Sequence, residues 1–125
     1  MNTDGSLSGL TSRIIGSAQV VSNTLGCGFL EKVYENALAL ELRGRGLRVS
    51  QQHRLVVRYG GEVVGECFAD LFIDEKVIVE LKASTMPDAL HEAQCINYLR
   101  ASGAPICLLV NFARPRLHVR RFINT

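Results

Sequence analysis

A chain of 125 residues with 14 Lys and Arg against 12 Asp and Glu carries a net charge of +2, and 47% of its residues are hydrophobic. That length suits one domain with one core, and the weak charge permits a polyanionic partner without arguing for one. There is no run of roughly 18 apolar residues and no basic-then-apolar leader, which excludes a membrane-spanning chain and leaves a soluble, unexported, cytoplasmic protein as the expectation.

Residues 1–8 are polar and rich in glycine and serine, and they read as a disordered tail ahead of a single domain over 9–125. From Leu10 the apolar residues Ile14, Ile15, Ala18, Val21 and Leu25 recur at three- and four-residue steps, the pattern of an amphipathic helix. Gly26-Cys27-Gly28 stops it. A second helix is expected over Phe29–Arg43, closed by Gly44 and Gly46, with a core stripe of Leu30, Val33, Tyr34, Ala37 and Leu38. At about 100° per residue Glu31 lies just beside that stripe and Glu35 further out. Two acids in a first turn also suit the helix dipole with no further role.

Leu47–Gln52 and Arg54–Tyr59 read as extended, Gly60-Gly61 as a hairpin turn, and Glu62–Ile73 as a long strand. The stretch that follows, DLFIDEKVIVELKA over Asp70–Ala83, is a strand-turn-strand pattern that carries Asp70, Glu80 and Lys82 within apolar sequence. Alternation puts Glu80 and Lys82 on one face and Val79 and Leu81 on the other. On a solvated face they would be a plain ion pair; in a buried strand they need partners or a metal. Their relation to Asp70 depends on register. A three-residue turn, Asp74–Lys76, pairs Ile73 with Val77 and sets Asp70 opposite Glu80, whereas a two-residue turn sends them to opposite faces unless a bulge intervenes.

Pro87 marks the start of a third helix that Gly103 ends. On it His91, Gln94 and Tyr98 share one side, as a polar rim or as part of a site. An apolar strand over Ile106–Phe112 and a last strand over Arg116–Ile123, joined at Arg114-Pro115, complete an α+β layout. Arg116, His118 and Arg120 share a face of the last strand, with Arg114 nearby. Such arginines either protect an edge strand from aggregation or contact phosphates. Cys27, Cys67, Cys95 and Cys107 stand far apart with no CxxC pair, which favours free thiols in a reducing compartment over an iron–sulfur or zinc centre.

In order, these pieces resemble a known family. GCGFLEKVYENAL over Gly26–Leu38 resembles the motif of the GxxExxY proteins through Gly28, Glu31 and Tyr34. Those proteins belong to the PD-(D/E)XK nuclease superfamily. Asp70 matches that superfamily's first acid, Glu80-Leu81-Lys82 its ExK, and Gln94 with Tyr98 the QxxxY of lambda exonuclease and RecB-type enzymes. LLVNFARPRLHVRRFI resembles the closing hairpin. Ala69 stands where the superfamily name has proline, and Ala113 where a glycine is expected.

The resemblance covers about residues 10 to 123 and implies an αβββαβ core, a central mixed sheet flanked by helices. It implies a metal-dependent nuclease hydrolysing phosphodiester bonds, most readily of DNA, with Mg²⁺ or Mn²⁺ on Asp70, Glu80, the Leu81 carbonyl and Glu31. Hard oxygen ligands of this kind suit those ions. Lys82 would position or deprotonate the attacking water and balance charge, Gln94 would orient Lys82 or the substrate, and Tyr34 and Tyr98 would support. Arg114, Arg116 and Arg120 are the candidate nucleic-acid contacts, and a homo-oligomer would complete a groove for so small a chain. The alternative is a catalytically silent nucleic-acid-binding or assembly subunit on the same fold.

Overall fold

The segment VIVELK becomes a strand buried at all six positions, and the other elements are layered on its two faces. The computed structural model describes residues 7–125. Its elements run α1 (Leu7–Leu25), α2 (Glu31–Gly44), β1 (Val49–Tyr59), β2 (Glu62–Ile73), β3 (Val77–Lys82), α3 (Ala89–Ser102), β4 (Ile106–Asn111) and β5 (His118–Ile123). The strands form one five-stranded sheet in the order β1-β2-β3-β4-β5. Among the described residues only the β3–β4 pair is parallel, bridged by α3 as a crossover.

Alternation along β3 decides which residues meet which helices. Val77, Val79 and Leu81 pack with Ile14, Leu38 and Leu42 beneath α1 and α2, while Ile78 joins Cys95, Leu99 and Leu109 beneath α3. Each such apolar side chain stabilises by about 1.5–3 kcal/mol when buried. Glu80 and Lys82, of the same parity as Ile78, face the α3 layer at the end of the most buried strand. No helix among the described residues is long and apolar enough to cross a membrane.

The β2–β3 turn has the length that brings the acids together. Ile73 pairs with Val77 and Leu71 with Val79, and the Lys76 N–H donates to the Ile73 carbonyl (3.0 Å). One step further along this register, Asp70 stands opposite Glu80. Gly60 and Gly61 both take the positive φ that a tight two-residue hairpin turn requires (58° and 82°).

Three expectations need correction. The tail expected over 1–8 falls outside the described residues except for Leu7 and Ser8, which already belong to α1, where Thr11 Oγ1 donates to the Ser8 carbonyl (3.0 Å). Leu47–Gln52 and Arg54–Tyr59 merge into the single strand β1, which runs unbroken from Val49. The stripe expected on α2 is displaced: the buried residues are Tyr34, Glu35, Leu38, Ala39 and Leu42, whereas Leu30 is 79% exposed and Val33 also faces out. The helix turns this way because Glu35, expected to lie outward, has hydrogen-bond partners waiting on the sheet.

Candidate active site

Asp70 and Glu80 form the centre of the site. Asp70 Oδ2 accepts a hydrogen bond from the Leu81 N–H (2.8 Å), so β2 is tied side chain to backbone just where its ladder with β3 stops. Glu80 is only 6% exposed, and its Oε1 has no partner among the described residues. Burial pushes its carboxyl up to about 9, reinforced by the charge of Asp70, a hydrogen bond to Asp70, and the neighbouring Cys95 and Glu31. A buried carboxyl with an unused oxygen is costly by itself, so this pair is arranged for something to be added.

Gln52 holds Asp70 from the other side. It stands opposite Asp70, between the pairs Gln51–Leu71 and His53–Ala69, and takes a left-handed backbone (φ 49°) that non-glycine residues rarely adopt. The ladder turns over at this point. Leu71 and Ile73 pack beneath α1 and α2, yet Ala69 and Cys67, of the same parity on β2, pack beneath α3. With its side chain so directed, Gln52 Nε2 donates to both Asp70 Oδ1 (3.1 Å) and Glu35 Oε1 (2.8 Å). Glu35 Oε2 in turn accepts from Gln51 (2.8 Å) and Lys32 (3.0 Å). Neither Gln52 nor Glu35 stood out in the sequence.

The loop before α2 sets the position of Glu31. Gly28 has φ 107°, a conformation closed to other residues without strain. The buried Tyr34 hydroxyl donates to the Gly26 carbonyl (2.6 Å) and accepts from the Phe29 N–H (3.3 Å), and its ring stacks on Phe112 at 4.6 Å. Gly28, Glu31 and Tyr34 are thus one device: a glycine turn, a tyrosine clamp and an acid on the first helical turn between them. Glu31 is raised above the ordinary carboxylate range, by burial first and then by Asp70, with His91 and Lys82 opposing. Its environment is therefore that of Asp70, Lys82 and His91, although it remains solvent-accessible.

Lys82 is 1% exposed, and its ammonium donates to the Asp88 carboxylate and the Met86 carbonyl. Asp88 is the N-cap residue of α3, so Lys82 is tied to the start of the helix that crosses over to β4. Gln94 lies on α3 as expected, but it lines a cleft with Tyr98 and has no hydrogen bond to Lys82. The Tyr98 hydroxyl donates to the Phe68 carbonyl (3.1 Å), and burial, then Glu80 and Asp70, push it well above the ordinary phenol range. His91 keeps a buried Nδ1 with no partner among the described residues. All four cysteines are free thiols. Cys107 is pushed up by its hydrogen bond to Cys95 and by burial, so the apolar layer beneath α3 holds protonated sulfur.

The arginines divide. Arg114 and Arg116, with Asn111 and His118, line a small recess of about 80 Å³ beside the C-terminal end of β3, since Asn111 pairs with Lys82 in the ladder. Neither has an anionic partner among the described residues. Arg120 does: it pairs with Glu92 and lies over the Phe122 ring at 5.3 Å.

Among the described residues no group of three or more His, Cys, Asp or Glu side chains is gathered as a ready metal cage. The donor set nevertheless fits a hard divalent cation. Mg²⁺ is ordinarily held by one or two carboxylates together with waters and substrate phosphate, and Asp70 with the unpartnered Glu80 Oε1 offers that number. The Leu81 N–H already points at Asp70, and the carbonyl of a strand residue lies on the same edge as its N–H.

A family model for the PD-(D/E)XK nuclease superfamily matches residues 8–122. Among solved structures, SSO0001 matches with a TM-score of 0.62 at 22% identity over 75% of this chain and 50% of that one. An alkaline exonuclease from Laribacter hongkongensis, LHK-Exo, matches with a TM-score of 0.54 at 14% identity over 91% of this chain and 70% of that one. The chain thus spans half the length of SSO0001, and at these identities the likenesses bear on fold. No match is found among the curated proteins. With the family model matched across nearly all of the described residues and a mixed sheet flanked by helices beneath it, the chain belongs to the PD-(D/E)XK nuclease superfamily.

Proposed function

We propose that this chain is a divalent-metal-dependent nuclease that hydrolyses phosphodiester bonds of DNA, of the GxxExxY type, working in a reducing cytoplasm. The observation that carries the reading is Glu80: a carboxyl buried in the central strand against Asp70, with one oxygen left unpartnered. A fold with no chemistry to perform has no need of that cost.

Asp70, Glu80 and the Leu81 carbonyl would hold Mg²⁺ or Mn²⁺, with Glu31 reaching in from α2 directly or through water. When bound, the ion supplies Lewis-acid activation of the phosphate and a more acidic water. Lys82, with two of its three N–H groups spent on Asp88 and Met86, keeps one to position the attacking water or meet charge on the phosphate. Gln52 and Glu35 fix Asp70 in its rotamer. Gln94 faces the substrate side, with Tyr98 packed behind it. Arg114 and Arg116 are free to take phosphates flanking the cut, while Arg120 would first have to leave Glu92.

Calorimetric titration with Mg²⁺ and Mn²⁺ tests the ion site. Binding is expected for the wild type and absent in Asp70→Ala. A folded wild type that takes up neither ion, with or without DNA, would remove the catalytic assignment. The remaining reading is then a silent binding or assembly subunit. The exposed apolar residues Val33 and Leu40 along α2, with Leu30 just before it, favour assembly in either case, as homo-oligomer or subunit.

A further inference from the structure

We propose that the cleft between α3 and the β1–β2 ribbon binds an unpaired nucleotide of the substrate strand beside the cut. The proposal rests on the nuclease reading and adds to it a recognition site at the β1–β2 edge of the sheet, whereas Arg114 and Arg116 stand at the β4–β5 edge.

The cleft measures about 820 Å³, within the range of about 300–1,000 Å³ typical of ligand sites. Arg58 and Cys67 come from the ribbon; Gln94, Asn97, Tyr98 and Arg100 come from α3. Gln94, Asn97 and Tyr98 follow i, i+3, i+4 spacing, so one face of the helix is turned to the cleft. Arg58 stands opposite a bulge of β2 at Val64, where the ladder slips from the Val57–Gly65 pair to the Arg58–Val63 pair, and a bulge of this kind bends and twists the ribbon locally.

Three features define the occupant. First, Arg58 and Arg100 have no carboxylate partner among the described residues, whereas Arg54 on the same strand pairs with Glu66. Two unpaired guanidiniums on opposing walls suit phosphates on either side of a nucleoside. Second, the amides of Gln94 and Asn97 have no hydrogen-bond partner among the described residues, and such amides offer the donor and acceptor pair that base edges accept. Third, the floor adjoins the acids: the Tyr98 hydroxyl donates to the Phe68 carbonyl (3.1 Å), two residues before Asp70 on β2. Inside a duplex the Watson–Crick edge is taken by the partner base and the base is flanked by its stacking neighbours, so a nucleotide seated singly in this cleft with that edge on the two amides is unpaired.

The test is fluorescence anisotropy with a short labelled single-stranded oligodeoxynucleotide and the matching duplex, in EDTA so that no hydrolysis occurs. Arg58→Ala/Arg100→Ala is expected to weaken single-strand binding at least about tenfold. It should lower the salt slope by about 1.4, two contacts at about 0.7 each, while changing duplex binding less than about twofold. Asn97→Ala is expected to weaken the same binding without changing the salt slope. Bound oligonucleotide should slow alkylation of Cys67, read by peptide mass spectrometry, in the wild type and not in the double variant. Unchanged single-strand affinity with Cys67 unprotected, or equal losses for both DNA forms, would overturn the proposal. Wild-type cleavage in Mg²⁺ is measured alongside. Cleavage with no dependence on the cleft leaves the nuclease reading and removes this site; cleft-dependent binding with no cleavage does the reverse.

Discussion

At Glu80 the cost of the site can be measured. Its carboxyl is raised to about 9 chiefly by burial, so the folded chain holds a proton that the unfolded chain has released. The contribution of Glu80 to the stability of the metal-free protein is therefore fully present below the ordinary carboxylate range and is lost as pH rises from there through about 9. Glu80→Gln removes that slope and is expected to stabilise the metal-free protein at pH 8 by on the order of 1–3 kcal/mol, with little effect at pH 4.5. Urea unfolding in EDTA at the two pH values checks this, and equal effects at both would contradict it. Gln52 allows a sharper separation of strain from function. Its left-handed backbone is costly for any side chain, and its amide bridges Asp70 and Glu35. Gln52→Ala should lose about 1–2 kcal/mol and most of the activity, whereas Gln52→Gly should recover the stability and leave the activity low. Activity restored by glycine would show that the amide does not position Asp70.

At the scale of elements, α2 and its entry loop act as a unit. Gly28→Ala forces a side chain into φ 107° and is expected to cost about 1–2 kcal/mol. Tyr34→Phe loses the bond to the Gly26 carbonyl, about 1 kcal/mol, and frees the loop that aims Glu31. Thermal unfolding beside cleavage rates checks both, and a Tyr34→Phe variant of full stability would contradict the clamp. These elements also show what could be read beforehand. The Asp70–Glu80 register was legible as one of two alternatives set by the turn length, and the three-residue turn, Asp74–Lys76, is the one that forms. The face of α2 was not: periodicity weights apolar residues, and Glu35 is buried only because Gln51 and Gln52 meet it across a long-range contact. Gln52 was hidden for a related reason. Counting back from the Gly60-Gly61 turn sets it opposite Ala69, and only the bulge of β2 at Val64 moves it to Asp70. The partner of Lys82 was hidden as well, since its pairing with Asp88 depends on how the β3–α3 loop folds back.

For the whole molecule, sheet order decides what the chain can bind. The parallel β3–β4 step sets Asn111 beside Lys82, so the Arg114 and Arg116 recess lies next to the acids at one end of the central strand. If those arginines take phosphates, Arg114→Ala/Arg116→Ala should reduce the salt slope of duplex binding by close to 2, about 0.9 for each phosphate contact, and weaken all sequences alike. An unchanged slope would return them to the role of edge protection. The order of motifs along the sequence anticipated this architecture because each lies within one element or one turn. The central claim remains that Asp70 and Glu80 make a hydrolytic centre. The most direct measurement is the cleavage rate of linear and circular DNA in Mg²⁺, for the wild type, Asp70→Asn and Glu80→Gln, with folding of each verified by circular dichroism. Cleavage by the wild type that is abolished by EDTA and lowered at least about a hundredfold in each variant is the expected result; cleavage that survives either substitution in a folded protein would contradict it.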